Sequence, residues 1–275
     1  MTGPPEVPKE ILEHYEAFPE RERLASGNGL LEKLRTQQIL RRCLPRPPAT
    51  VLDVGGGPGV YAVWLAGLGY SVHLIDPVAR HVIEAQDAAE TVHRVLVSAT
   101  VGDARTLDAE TGSVDAVLLL GPLYHLVEAG DRERTLEEAR RVLREGGVVV
   151  ASAISRFAPV LDGLDGGAID DPLFREIIAR DLDSGQHRNP TGEVRYFTTA
   201  FMHDPDGLYR EVSGAGFDDV EVVAVEGIGW VAGDLDRRLR DPTTRDPLLE
   251  LVGRLEAEPS LLGASPHLIA IGRRP

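Results

Sequence analysis

Apolar residues recur along this chain in two alternating spacings, and their order predicts most of its elements. Residues 1–9 are polar and proline-rich and read as a loose tail. From residue 10 to residue 44 the spacing is helical. Ile11, Tyr15 and Phe18 make one stripe, and Leu30, Leu31, Leu34, Gln38 and Leu40 suggest a second. Ser26-Gly27-Asn28-Gly29 breaks the two, and the prolines of 45–48 end this arm. Short apolar runs then alternate with amphipathic stretches. Strands are expected at 50–54, 71–76, 97–101, 114–120 and 148–153, and helices at 58–68, 78–90 and 131–144. The run at 114–120 is what a central parallel strand, buried on both faces, requires. Strand–helix alternation of this kind argues for a parallel sheet covered on both sides.

The alternation fails between 155 and 200. Gly- and Asp-rich turns at 162–171 and a short helix at 173–179 are read there as an inserted cap. A helix resumes with Asp204 as N-cap and Pro205 at its first position, running to Gly214. A strand at 219–225, a helix at 247–256 and a strand at 266–272 follow. The expected layout is a tail and helical arm (1–47), a ligand-binding core (48–154), a cap or substrate region (155–203) and a segment that completes the sheet (204–275).

Composition narrows the class. With 275 residues, 43% of them hydrophobic, the chain can bury one sizeable core and carry an inserted cap. Forty-four acidic against 29 basic residues give a net charge of −15. Such a field repels phosphate backbones, so nucleic acid is a disfavoured partner. Lysine occurs only at Lys9 and Lys33, which with abundant Ala, Gly and Val suggests a GC-rich bacterial gene. The single cysteine, Cys43, excludes an internal disulfide and gives a cysteine-based zinc site no ligands. Eight scattered histidines show no HExxH pattern and no pair at helical spacing, so no metal is expected. The start of the chain lacks the apolar segment of a secretory signal. The longest uncharged apolar stretch, 116–127, is too short to span a bilayer and contains Gly121 and Pro122. The expectation is a cytoplasmic protein with no membrane partner.

The strongest chemical signal is Val51-Leu52-Asp53-Val54-Gly55-Gly56-Gly57-Pro58-Gly59, a strand that ends near an acid and enters a glycine-rich turn opening a helix. Glycines allow a tight turn and let a ligand touch backbone. Gly57-Pro58-Gly59-Val60-Tyr61-Ala62 fits the GxGxxA dinucleotide fingerprint. Asp53 with Gly55, Gly57 and Gly59 instead resembles the D-x-G-x-G-x-G loop of class I methyltransferases, and the acid two residues before the first glycine favours that second reading. Asp76 closing the second strand, Gly102-Asp103-Ala104 after the third and Gly121 closing the fourth follow in the order of that family. Arg144-Glu145-Gly146-Gly147 resembles its turn before strand five, with Glu145 in place of the usual proline.

The resemblance covers 48–154 well and the end of the chain more loosely. It implies a Rossmann-like seven-strand α/β sheet, mostly parallel with an antiparallel C-terminal strand, helices on both faces, an N-terminal helical arm and an inserted cap. It implies S-adenosylmethionine as cofactor and S-adenosylhomocysteine as product. The turn Asp53, Gly55, Gly56 and Gly57 is expected to carry the cofactor, with Asp76 accepting from the ribose hydroxyls. Asp103, beside Ala104, would accept from the adenine amino group, and backbone at Gly121 would line the methionine end. Within the family the chain most resembles small-molecule methyltransferases. It is also similar to bacterial tRNA wobble-uridine carboxymethyl-type methyltransferases, at Leu34-Arg35-Thr36 and Leu248-Leu249-Glu250-Leu251. By that second resemblance Arg35 holds the methionine carboxylate, but the basic loop of those RNA enzymes has no counterpart here.

The sulfonium methyl is already activated, so the protein has mainly to align the acceptor and exclude water. A base is required only for an acceptor whose proton is held too tightly. His125, with Tyr124 beside it, follows the fourth strand on the edge where ligands bind, and is either the group that acts on the acceptor or a packed histidine. Tyr15 either closes over the cofactor or fills the core. His187, Arg188, Arg195 and Tyr196 in the cap either read substrate or form a solvated face, and His203 is read as structural. The leading function is methyl transfer to a small-molecule acceptor, with a homodimer left open. A tRNA-modifying methyltransferase and a non-methylating dinucleotide- or cofactor-binding protein are the alternatives.

Overall fold

The computed structural model describes residues 10–11, 14–15 and 20–275. The expected tail and Phe18 lie outside the described residues. Short helix α1 (Glu20–Arg23) leads into α2 (Gly27–Cys43). The predicted break is narrower than Ser26 to Gly29, because Ser26 is the N-cap and the glycines are the first turn of α2. A Cβ on Gly29 would stand 1.9 Å from the Arg23 carbonyl oxygen, so this glycine serves the close approach of the two helices.

The core alternates strands and helices: β1 (Thr50–Val54), α3 (Val60–Gly67), β2 (Ser71–Asp76), α4 (Ala79–Thr91), β3 (Ser98–Val101), β4 (Val114–Leu119), α5 (Pro122–His125), α6 (Ala129–Val142) and β5 (Leu143–Ile154). In the cap lie α7 (Ala158–Asp165), α8 (Pro172–Ser184), β6 (Gln186–His187) and β7 (Ala200–Phe201). The chain ends with α9 (Pro205–Gly214), β8 (Asp218–Ala224), α10 (Leu235–Arg240), α11 (Pro242–Leu255) and β9 (His267–Arg273). Seven strands form one sheet in the order β3-β2-β1-β4-β5-β9-β8. The first five are parallel, and β9 runs antiparallel to both β5 and β8.

Side chains alternate between two core layers. Leu52, Val54, Val117 and Leu119 pack on one face with Leu136 and Val142 of α6 and Leu208 of α9. Val51, Leu74, Ala116 and Leu118 pack on the other with Ile39 of α2, Leu65 of α3 and Val82 of α4. Each Val, Leu or Ile side chain so removed from water contributes about 1.5–3 kcal/mol, which fixes the register of the central strands. Asp115 interrupts the apolar run of β4. It accepts from the Thr50 N–H at 2.6 Å and pairs with Arg144 at 2.5 Å.

Beyond the break before α2, the structure departs from the sequence expectation at the Arg144 turn, the last long helix and the cap. The turn expected at Arg144–Gly147 is a bulge inside β5, which pairs with β4 on both sides of a register shift and carries Gly146 at φ 71°. The last long helix starts at Pro242, capped by the Asp241 carboxylate, so Pro247 lies within it and removes one backbone donor. The cap is more ordered than a loop with one short helix. Its helices close on a small core of Phe174, Ile177, Ile178 and Tyr196, and β6 pairs antiparallel with β7. No described helix is long and apolar enough to cross a membrane.

Candidate active site

The strand order changes direction between β1 and β4, and the carboxyl ends of the strands open a crevice there. Every residue expected at the cofactor, together with Tyr124 and His125, lines this one cleft except Arg35. It spans about 1150 Å³, including space open to solvent.

The glycine turn forms its floor. Gly55, Gly57 and Gly59 all take positive φ, at 68°, 54° and 79°. A Cβ on Gly55 would meet Pro122 at 2.8 Å, and one on Gly56 would meet the Asp53 carboxylate at 2.8 Å. At Gly57 nothing lies within 4 Å, so this bend presents bare backbone to the cleft. Asp76 ends β2 and steadies the turn: one of its oxygens accepts from Gly57 N–H at 2.8 Å, and the other from Val78 N–H at 2.9 Å. The second oxygen also lies 3.1 Å from His81 Nδ1. The Gly57-facing oxygen therefore keeps an acceptor position for a ligand hydroxyl.

Asp53 is fully buried beneath the turn. Burial, and then the nearby Asp76 charge, push its carboxyl up to about 7, while the Ala62 backbone N–H pulls the other way. Asp103 stands across the cleft in the fork of Arg105, whose Nε and Nη2 donate to it at 2.9 and 2.6 Å. The same guanidinium reaches Asp131 at 2.9 Å. Burial opposes the Asp103 charge, but Arg105 outweighs it and holds this carboxyl below its ordinary value.

At the open end Tyr15 closes on α5. Its hydroxyl lies 2.6 Å from His125 Nε2, and its ring meets those of His125 and His81 edge-on at 5.3 and 5.5 Å. Burial, with a smaller push from His14, lowers His125 to about 4, against the Thr199 backbone and Asp76. Near neutral pH the ring is uncharged.

Arg35 is not in the cleft. It is 2% exposed and points between β8 and α11, donating to the Val225 carbonyl at 3.1 Å and to Gln38 at 2.5 Å, and pairing with Glu256. Arg23 does line the cleft, and forks onto Glu32 at 2.5 and 3.1 Å. No spacing in the sequence pointed to Arg23, because its helix is a single turn. His81 and Arg105 were also missed; each bonds an acid expected in the site, Asp76 and Asp103.

A second cleft adjoins the first and shares Tyr15, Arg23 and Tyr124 with it. Its walls come from the cap, where Phe174 and Tyr196 stack at 4.8 Å and Phe197 faces the same space. His187 lines it too, with Nδ1 2.9 Å from Asp181 and Nε2 2.8 Å from the Tyr196 carbonyl. Arg195 borders it, 4.5 Å above the Tyr196 ring. His203 lies away from both clefts and bonds Glu211 at 3.0 Å.

Residues 51–147 match the family described as methyltransferase domain. The ubiquinone/menaquinone biosynthesis C-methyltransferase of Acidiphilium cryptum is 34% identical over 204 residues, 72% of this chain and 77% of that protein. This chain belongs to the class I S-adenosylmethionine-dependent methyltransferases. A ubiquinone biosynthesis O-methyltransferase of Methylocella silvestris is 31% identical over 42% of this chain and 44% of its own. Among solved structures, an S-adenosylmethionine-dependent methyltransferase of Thermotoga maritima superposes over 96% of this chain and 100% of its own, with a TM-score of 0.57 at 19% identity.

Membership in this methyltransferase family implies S-adenosylmethionine and S-adenosylhomocysteine as ligands, and the first cleft suits them. The bare backbone at Gly57, the remaining acceptor position on Asp76 and the Asp103 carboxylate offer what an adenosine requires.

Proposed function

We propose that this methyltransferase acts on a small-molecule acceptor held in the second cleft. The observation that carries this reading is the junction of the two clefts at Tyr15, Arg23 and Tyr124. S-adenosylmethionine, when bound, supplies a methyl group already activated on sulfur. Asp76 takes a ribose hydroxyl, Asp103 the adenine amino group and Gly121 the methionine end. Arg23, rather than Arg35, provides the cation for the methionine carboxylate. Tyr15 and Tyr124 close the junction, excluding water and fixing the acceptor's approach. His125 is uncharged near neutral pH and so is able to take a proton from an acceptor hydroxyl.

Calorimetry of the whole chain with S-adenosylhomocysteine and with NAD tests the cofactor step. S-adenosylhomocysteine is expected to bind and NAD not to. Asp76→Ala is expected to weaken S-adenosylmethionine by about 1–3 kcal/mol, the scale of a lost hydrogen bond to a charged group. Binding of NAD alone would overturn the reading.

A further inference from the structure

Glu32 of α2, Glu226 after β8 and His267 at the start of β9 converge between the two clefts, their ligand-type atoms within 4.8 Å of one another. His267 lines the second cleft, while Glu32 lines the first. Such a trio can be closed by a metal ion or by a proton, and the distances choose. His267 Nδ1 lies 2.6 Å from Glu226 Oε1, a hydrogen bond. Two ligand atoms about 2.0 Å from a tetrahedral zinc would stand roughly 3.3 Å apart. Glu226 Oε2 is already taken by the Ser265 hydroxyl at 2.9 Å and the His267 backbone N–H at 3.0 Å. Glu32 is occupied by the Arg23 fork.

The proton on Nδ1 therefore belongs to the Glu226 bond. With Nδ1–H held by Glu226, a neutral His267 ring has a bare Nε2, and only the cation carries Nε2–H. Charged groups face this ring from four elements: Glu32 at 3.8 Å, Glu226, Arg23 beside Glu32, and Asp162 of α7. Burial works against the cation, but Glu32 and Glu226 outweigh it and raise His267 to about 9. Neither of these acids lines the second cleft, and Glu32 lines the first. The side chains lining the second cleft include the basic groups Arg23, Arg195 and His267 and one acid, Asp162, among the described residues; Arg23 is paired with Glu32, Arg195 with Asp171 and His267 with Glu226.

We propose that His267 is the recognition group of the acceptor cleft, donating from Nε2 to a carboxylate or carbonyl oxygen of an aromatic acceptor seated against Phe174, Tyr196 and Phe197. The proposal rests on the reading of the second cleft as the acceptor site, and it adds the chemistry that the acceptor must carry. The stacked, mostly buried pair Phe174 and Tyr196 lends the cleft apolar wall, and the His267 cation fixes the acceptor's orientation. An amine-bearing acceptor would use Asp162 instead, and a metal-dependent one would need Glu32 released from Arg23.

The test uses the full chain saturated with S-adenosylhomocysteine and labelled for histidine NMR. Benzoate is expected to shift the His267 resonance saturably, and benzylamine, of the same size and opposite charge, is not. His267→Phe should weaken benzoate roughly tenfold or more while S-adenosylhomocysteine affinity stays at the wild-type value. In the wild type, benzoate binding should fail as pH rises through about 9. In Glu226→Gln that failure should move down toward neutral pH, a displacement that a merely structural histidine would not produce. Benzylamine binding in place of benzoate, stoichiometric binding of Zn²⁺ or Mn²⁺, or no response of His267 to millimolar benzoate would each overturn the proposal. Failure of S-adenosylhomocysteine to bind would instead overturn the methyl-transfer reading beneath it.

Discussion

Asp53 is buried and His125 half-buried at the cleft, and desolvation drives both toward their neutral forms. For Asp53 the consequence is a dependence of stability on pH. Its folded-state value near 7 exceeds the ordinary 3.8. Between those values the folded chain holds a proton that the unfolded chain has released. Stability contributed by neutral Asp53 is therefore full below about pH 4 and is lost as pH rises toward 7, at about 1.4 kcal/mol per pH unit at most. Asp53→Asn removes this loss. Melting of the apo chain at about pH 5 and about pH 8 should show a smaller fall for Asp53→Asn than for the wild type. Equal falls would mean that Asp53 is charged in the folded chain. His125 is displaced in the opposite direction, to about 4, so its proton-accepting form is present at neutral pH. His125→Gln approximates the Nε2 position that meets Tyr15 but cannot take a proton. On an acceptor that must lose a proton in the transfer step, turnover is expected to fall roughly 10²-fold with S-adenosylhomocysteine affinity unchanged. Full turnover in that variant would leave alignment alone as the source of rate.

At the scale of elements, α2 shows what a linear reading captures and what it does not. The helix itself was legible from Leu30, Leu31, Leu34 and Leu40, since a stripe of apolar residues needs only local spacing. The direction of Arg35 was not, because its partners Val225 and Glu256 lie 190 and 221 residues away in sequence. The same contrast runs through the fold. Strands β1, β2 and β4 announced themselves because both faces are buried, and Asp76 and Gly121 followed from their positions at strand ends. In the cap α8 was legible only as a short helix at 173–179, because Phe174, Ile177 and Tyr196 pack mainly on one another, and α7 stayed hidden because it begins and ends among prolines and glycines. Arg23 and His267 reach the clefts only through tertiary packing. The buried role of Arg35 makes a definite forecast. Arg35→Met removes a buried charge whose carboxylate partner Glu256 keeps a second arginine, Arg42. Chemical denaturation should show a loss of about 3 kcal/mol, the lower end for breaking a buried pair. S-adenosylhomocysteine affinity of the folded fraction should match the wild type. A large loss of affinity without loss of stability would return Arg35 to the cofactor.

Across the whole molecule the excess of acid decides which polyanions the surface tolerates. A net charge of −15 repels an RNA backbone, and many of the arginines that oppose it are already neutralised by the protein's own acids. Arg132 forks onto Glu211, Arg141 onto Glu138, Arg105 onto Asp103 and Asp131, and Arg144 meets Asp115. Neutralising phosphates would require these pairs to open, and each opening leaves a carboxylate facing the RNA. Binding to nucleic acid draws its salt-dependent affinity from released counterions, in proportion to the phosphates that cations replace. With a net charge of −15 and part of its arginines held by its own acids, the chain should show neither tight binding nor a steep slope. A filter-binding assay against bulk tRNA at physiological salt is expected to give no sub-micromolar affinity. Sub-micromolar binding that weakens steeply between low and physiological salt would reveal a basic surface able to override the net field. The resemblance to the wobble-uridine enzymes would then outrank a small-molecule acceptor, and the aromatic second cleft would be read as a pocket for a flipped or unpaired base.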